Sequence, residues 1–235
     1  MKRDTWVAFL PFYLLVVIGF LALTQLGSDT VTAISLQRPP ERTHTIVIDA
    51  GHGGVDGGAT SCTGVLESQI NLEIALRLED LLHLLGLDTV MIRRTDESVY
   101  TEGETIGAKK ISDLKNRVRT VQQTPGAILV SLHQNTFSDT RYSGAQVFYG
   151  AAGESVSLAK QLQQMFVSTL NPGSRRQPKT SKGIYLMEHV SCPAVLVECG
   201  FLSNPEEEAL LRNADYQQKI CVVIGTTLSR FVSST

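Results

Sequence analysis

Three short apolar runs in this sequence each lead into a residue able to bind a metal ion or move a proton. Thr45-Ile46-Val47-Ile48-Asp49 opens into the glycine-rich stretch Gly51-His52-Gly53-Gly54, Ala127 to Leu132 leads to His133, and Ala194 to Val197 leads to Glu198. In each case the expected strand runs out and the polar residue stands just beyond it. A fourth group, Glu67, sits at the first turn of the helix expected to follow the His52 loop. Two histidines and one carboxylate form a catalytic zinc set that leaves one coordination position open for water. The remaining carboxylate can then act as base toward that water.

Each of these residues also admits a plainer explanation. Glycines around His52 let a backbone pass close to something bulky. A carboxylate at a helix start is favoured by the helix dipole whatever its function. Glu198 ends a strand of Val, Leu and Val, where an ionised carboxylate is costly unless it is paired or used. His133 has no evident structural reason to follow Ile128-Leu129-Val130-Ser131-Leu132. The other histidines are weaker candidates. His83 lies on a helix face away from the leucines, and His44 reads as linker. His189, beside Glu188, would approach the cleft only because another strand is expected to end there.

The elements that must position these groups follow from periodicity. Glu67 to Leu85 is a helix whose apolar stripe is Ile70, Ile74, Leu78, Leu81, Leu82 and Leu85, with Gly86 as its stop. Thr89 to Ile92 reads as a strand, Glu97 to Lys110 as a polar surface loop, and Ile111 to Gln123 as a helix with Leu114, Val118 and Val121 inward. Gly144 to Tyr149 is a strand, and Glu154 to Leu170 is a helix burying Leu158, Leu162 and Met165. A polar loop from Asn171 to Lys182 precedes a short strand at Ile184-Tyr185-Leu186. Pro205 starts a short helix, and Asp215 to Val232 forms a long one. Strands alternating with helices predict an α/β fold: a single domain with a largely parallel sheet flanked by helices on both faces. In open α/β sheets the carboxyl ends of the strands are where ligands bind.

Composition limits the function classes. Of 235 residues, 43% are hydrophobic and 19% charged, and the formal net charge of −2 offers no basic face, so nucleic acid is excluded as a partner. Cys62, Cys192, Cys199 and Cys221 stand singly, with no C-x-x-C pair, and are expected to be unpaired. The chain's beginning differs from the rest. Lys2 and Arg3 precede Trp6 to Leu23, an uncharged stretch that as a helix would span about 27 Å, close to the bilayer core. Its length favours an uncleaved anchor over a cleaved signal, although Val31-Thr32-Ala33 offers a small-residue cleavage site; the domain is translocated either way. The expected layout is an anchor or signal segment over 1–26, a linker over 27–43 containing Pro39-Pro40, and a catalytic domain over 44–235.

Four runs then carry a resemblance: Ile48-Asp49-Ala50-Gly51-His52-Gly53-Gly54, Glu67-Ser68-Gln69-Ile70-Asn71, Ser131-Leu132-His133-Gln134-Asn135, and the stretch from Pro193 through Glu198-Cys199-Gly200-Phe201 to Asn204. In this order and spacing they resemble the zinc-dependent N-acetylmuramoyl-L-alanine amidases over roughly Thr45 to Val232. The resemblance implies a mixed sheet flanked by helices, zinc held by His52, Glu67 and His133, and Glu198 as the catalytic glutamate. It implies peptidoglycan as substrate, cut between the lactyl group of muramic acid and L-alanine. The single domain, the N-terminal membrane segment and the polar insert Ser98 to Lys110 look most like the sporulation members of that family. Such enzymes strip peptides from spore-cortex muramic acid so that a muramic acid deacetylase can form the δ-lactam needed for germination, and some work with a lipoprotein activator. The expected place of action is the cortex side of the forespore intermembrane space. Two rivals are a zinc peptidase cutting within the stem peptide and a non-catalytic wall-binding protein; retention of His52, Glu67, His133 and Glu198 together counts against the second.

Overall fold

The computed structural model describes residues 44–234. The expected anchor over 1–26 and the linker over 27–43 lie outside the described residues. Among those described, no helix is long and apolar enough to cross a membrane.

The strands β1 (Thr45–Ala50), β2 (Asp88–Met91), β3 (Ala127–Asn135), β4 (Gln146–Tyr149), β5 (Lys179–Thr180) and β6 (Ala194–Phe201) form one sheet in the order β2-β1-β3-β6-β4-β5. The pairs β1/β2, β1/β3, β3/β6 and β4/β5 are parallel, and only β4/β6 is antiparallel. The sheet is therefore mixed and largely parallel. The helices are α1 (Glu67–Leu84), α2 (Ile106–Gln123), α3 (Gly153–Thr169), α4 (Tyr185–His189), α5 (Pro205–Leu211) and α6 (Ala214–Ser234).

Alternate strand residues bury on opposite faces, as the two-residue period of a strand requires. Ile46, Ile48, Ile128, Val130, Val195 and Val197 pack with α1, α3 and α6 on one side. Val47, Leu129 and Leu196 pack with Val118 and Val121 of α2 and Leu186 and Met187 of α4 on the other. Both faces are covered, which explains why the central strands read as unbroken apolar runs.

Several expectations are corrected. β3 and β6 run on to Asn135 and Phe201, so His133 and Glu198 are strand residues paired with one another and not residues beyond the strand ends. The ladder extends through them because both neighbours still supply backbone partners; its register shifts only between His133 and Asn135. The stretch expected as loop to Lys110 turns helical at Ile106, where the Thr105 side chain caps α2 by accepting from Ala108 N at 3.2 Å. The strand expected at Ile184-Tyr185-Leu186 is instead the start of α4: Leu186, Met187 and Val190 bury at helical spacing. The edge beside β4 is taken by Lys179–Thr180, inside the expected polar loop. Leu85 lies past the end of α1 and is 40% exposed.

Leu78 is fully buried on the α1 face turned to the strands and α6. Leu78→Ala is expected to lower unfolding stability by about 2–5 kcal/mol in chemical denaturation, as truncation of a core leucine does.

Candidate active site

The turn that leaves β1 is shaped before any side chain reaches it. His52 adopts φ 61°, the left-handed region that a non-glycine residue enters at a cost of order 1 kcal/mol. Three successive carbonyls hold it there. Ala50 O accepts from Arg93 Nε (2.8 Å) and Arg117 Nη1 (3.1 Å). Gly51 O accepts from Arg93 Nη2 (3.0 Å) and Asn71 Nδ2 (3.1 Å), and His52 O from Arg117 Nη2 (2.6 Å). Arg93 also donates to Ser68 O at 2.8 Å, tying the turn to the first turn of α1. Arg117 is anchored by Asp113 (Nε to Oδ2, 2.6 Å) and by an ion pair with buried Asp49. Asp49 Oδ2 in turn accepts from Ser131 Oγ of β3 at 2.7 Å. Burial works to raise the Asp49 carboxyl, but the Arg117 charge and the Ser131 hydrogen bond hold it below the usual carboxylate range.

On this frame three side chains converge. Glu67, buried at the start of α1, takes His133 Nδ1 (2.9 Å), Gln134 N (3.1 Å) and Asn71 Nδ2 (3.3 Å) on Oε1. Its Oε2 takes Ala59 N (2.9 Å) and faces His52 Nε2 (3.2 Å). Burial alone would raise this carboxyl; the hydrogen bonds from His133 and His52 bring it well below its ordinary value. The two imidazoles meet edge to face with centroids 4.9 Å apart. Burial works to lower His52, yet the hydrogen bond and charge of Glu67, then those of Asp56, leave it raised. Gly51 is required for this approach: a Cβ there would fall 2.3 Å from the His133 ring.

Glu198 stands beside this cluster, in register with His133 on the next strand. Its Oε2 is buried without a hydrogen-bond partner. Burial pushes the carboxyl up to about 7, the charge of His133 opposing the shift and that of Glu67 adding to it. His52, His133 and Glu198 line one cleft with Asp49, Arg117 and Tyr185, enclosing about 950 Å³ of atom-free space open to solvent.

The donor set fits a metal ion. One ligand atom from each of His52, Glu67 and His133 lies within 4.8 Å of the others. Tetrahedral zinc with bonds of about 2.0–2.1 Å spaces its ligands by roughly 3.3 Å; here His133 Nδ1 lies 2.9 Å from Glu67 Oε1 and His52 Nε2 3.2 Å from the other oxygen, Oε2, so the carboxylate faces both imidazoles. Asp56 supports the set from behind, Oδ2 lying 3.1 Å from His52 Nδ1, the carboxylate–histidine arrangement that fixes a ligand's tautomer. The orphaned Glu198 carboxylate is left free to exchange a proton.

The structure thus brings His52, Glu67, His133 and Glu198 together. The remaining histidines stay apart. His83 Nε2 pairs with Thr89 Oγ1 at 2.7 Å, His44 precedes β1 at the sheet's opposite end, and His189 stacks on Tyr185 outside the cleft lining. Sequence reasoning missed Arg93, Asp56 and Arg117. Arg117 carried a signal: it shares the inward stripe of α2 with Leu114, Val118 and Val121, where a cation must have a buried partner.

A carboxylate–histidine donor set with a second carboxylate left unpaired beside it is suited to metal-assisted hydrolysis. The chain belongs to the N-acetylmuramoyl-L-alanine amidase family, which matches residues 46–230. It is 34% identical over 235 residues to the germination-specific N-acetylmuramoyl-L-alanine amidase of Bacillus subtilis strain 168, covering 98% of this chain and 95% of that protein. Among solved structures it is similar to the CwlD amidase from Clostridioides difficile in complex with the GerS lipoprotein: TM-score 0.78, 36% identity, 82% of this chain and 100% of that one. An N-acetylmuramoyl-L-alanine amidase from Clostridium difficile 630 matches with TM-score 0.70 and 28% identity, over 83% of this chain and 100% of that one.

Because Asp56 lies against His52 Nδ1, Asp56→Asn is expected to weaken metal binding at this donor set about 10–100-fold. Competition with a chelator of known affinity measures this, and a melting temperature of the metal-free chain within a few degrees of the native one shows that the fold is intact.

Proposed function

We propose that His52, Glu67 and His133 hold zinc and that Glu198 is the catalytic glutamate of an amidase acting on the muramic acid–L-alanine bond of spore-cortex peptidoglycan. The observation that carries this reading is a three-residue donor set at the cleft and, in register with its His133, a buried carboxylate without a partner on Oε2. Zinc bound there would supply Lewis-acid polarisation of the scissile carbonyl and a water acidified toward about pH 7. Glu198 takes the proton of the attacking water and delivers it to the departing alanine nitrogen, the general-base then general-acid sequence. Glu67 orients both histidines, and the Arg93–Arg117 frame keeps the His52 backbone from moving as charge develops.

The cortex setting draws support from the likeness to a germination-specific amidase over nearly the whole of both chains. In that setting the product, peptide-free muramic acid, feeds a muramic acid deacetylase that forms the δ-lactam. A lipoprotein activator fits the complex in which the CwlD amidase was solved. Residues 1–26 serve as a membrane anchor or export signal and 27–43 as a linker, placing the domain on the outer face of the membrane, at the cortex side of the forespore.

Glu198→Gln is expected to lower turnover of purified peptidoglycan by at least 10²–10⁴-fold while zinc content by elemental analysis is unchanged. His133→Ala is expected to lose the metal. Mass spectrometry of the native digest should show a new L-alanine amino terminus and peptide-free muramic acid. Cuts inside the stem peptide, with alanine still attached, would contradict the amidase assignment.

A further inference from the structure

The polar segment from Asp96 to Lys110 runs from beyond β2 into the first turns of α2 and takes no part in the proposed chemistry. Its first residues nevertheless press on the two glycines that follow His52. Ser98 Oγ donates to Gly53 O, and Gly54 N donates to Asp96 Oδ1 at 3.1 Å. A Cβ on Gly53 would fall 2.4 Å from Glu97 O, and one on Gly54 2.8 Å from Ser98 N. Both glycines also take positive φ, 135° and 58°. They are required twice over, by the turn's own conformation and by the backbone packed against it. The far end of the segment returns to the same turn. Lys110 Nζ lies 3.1 Å from Asp56 Oδ2, the oxygen that His52 Nδ1 also approaches.

Between those contacts the segment is fastened to α2. Val99 N donates to Asp113 Oδ1 at 2.7 Å, Thr101 N to Ser112 Oγ at 3.1 Å, and Asn116 Nδ2 to Val99 O at 2.7 Å. The Lys109 ammonium lies 5.0 Å over the Tyr100 ring. Lys109 and Lys110 near the start of α2 oppose the helix dipole, so their place answers to these contacts and not to helix stability. Asp113 also accepts from Arg117 Nε, and the same guanidinium donates to His52 O. Segment, helix and turn are joined in a closed circuit of polar contacts.

The circuit holds a turn that is otherwise free to relax. Arg93 and Arg117 grip the carbonyls of Ala50, Gly51 and His52. Gly53 and Gly54 follow, the residue type freest to change conformation, and Asp56 comes after them. Releasing the two glycines would let both His52 and Asp56 leave the metal-competent arrangement. A site that is competent for only a fraction of the time binds its metal more weakly by that fraction. We propose that Asp96 and Ser98 are positioning residues that clamp the His52 turn from outside, with Lys110 closing the segment on Asp56. The affinity of the metal site then depends on the segment 96–110, which supplies no ligand. The proposal rests on the zinc reading of His52, Glu67 and His133 and extends it to the residues that keep His52 in place.

The test measures zinc affinity of the full chain by competition with a chelator of known affinity. Asp96→Ala/Ser98→Ala removes both glycine contacts, whereas Asp96→Asn keeps an acceptor oxygen for Gly54 N. Glu104→Ala, at an exposed position of the same segment, is the control. The double variant is expected to bind zinc about tenfold more weakly, as the loss of two hydrogen bonds to the turn implies. Asp96→Asn and the control should stay within about twofold of the native chain. At saturating cobalt(II) the double variant should show the native visible spectrum, because its ligands are unchanged. If the melting temperature of the metal-free chain shows that the double variant does not fold, Ser98→Ala alone decides. It is expected to lose about threefold in affinity, and no loss would overturn the clamp. Native affinity in the folded double variant would overturn it too, as would an equal loss in Glu104→Ala or a changed cobalt spectrum at saturation. A native chain that binds no zinc, or whose zinc survives His133→Ala, would instead overturn the metal assignment itself.

Discussion

The carboxylate of Glu67 is the constraint on which this site depends. A buried anion is costly unless its acceptor capacity is filled, and here His52, His133, Asn71 and the amides of Ala59 and Gln134 fill it. Those donors come from the turn after β1, from β3 and from α1 itself, so satisfying one carboxylate fixes the relative positions of three elements. The same contacts point two imidazole nitrogens at one place. The need to satisfy a buried charge and the need for a compact donor set therefore have a single solution, which a bound cation would complete.

The arginines beneath explain how a strained turn persists. Arg93 and Arg117 place their donors on the consecutive carbonyls of Ala50, Gly51 and His52, leaving His52 little freedom to relax from its left-handed conformation. Planar guanidinium groups suit this task because one side chain can reach several acceptors at fixed angles. The pair with Asp49 lets Arg117 remain charged in the interior, and Ser131 completes that carboxylate. Breaking such a buried pair from one side costs about 3–5 kcal/mol, so the network supports the fold as well as the turn.

Much of this was legible in the sequence, for physical reasons that differ by element. The central strands announced themselves because a sheet covered on both faces needs unbroken apolar runs, and α1 did so through its stripe from Ile70 to Leu82. His133 and Glu198 were visible as polar residues placed where apolar strands made them expensive and His52 by its glycine-rich turn, whereas Glu67, an ordinary helix-start acid, stood out mainly through the family motif. The strand ends were read short at His133 and Glu198 because polarity was taken as a stop, whereas the parallel ladder continues through both. The segment at Ile184 was misread because three apolar residues, Ile184-Tyr185-Leu186, fit a strand or a helical turn equally well. Arg93 and Asp56 were invisible because their partners are backbone carbonyls and a histidine ring brought close only by folding.

The central claim is that Glu67 gathers His52 and His133 into a metal site while Glu198 stays outside it. Anomalous diffraction at the zinc edge on crystals of the zinc-loaded chain tests this most directly. The account predicts one ion bound by His52, Glu67 and His133, with Glu198 free of the metal and turned toward its open position. An ion bound elsewhere, or one that counts Glu198 among its ligands in place of Glu67, would contradict it.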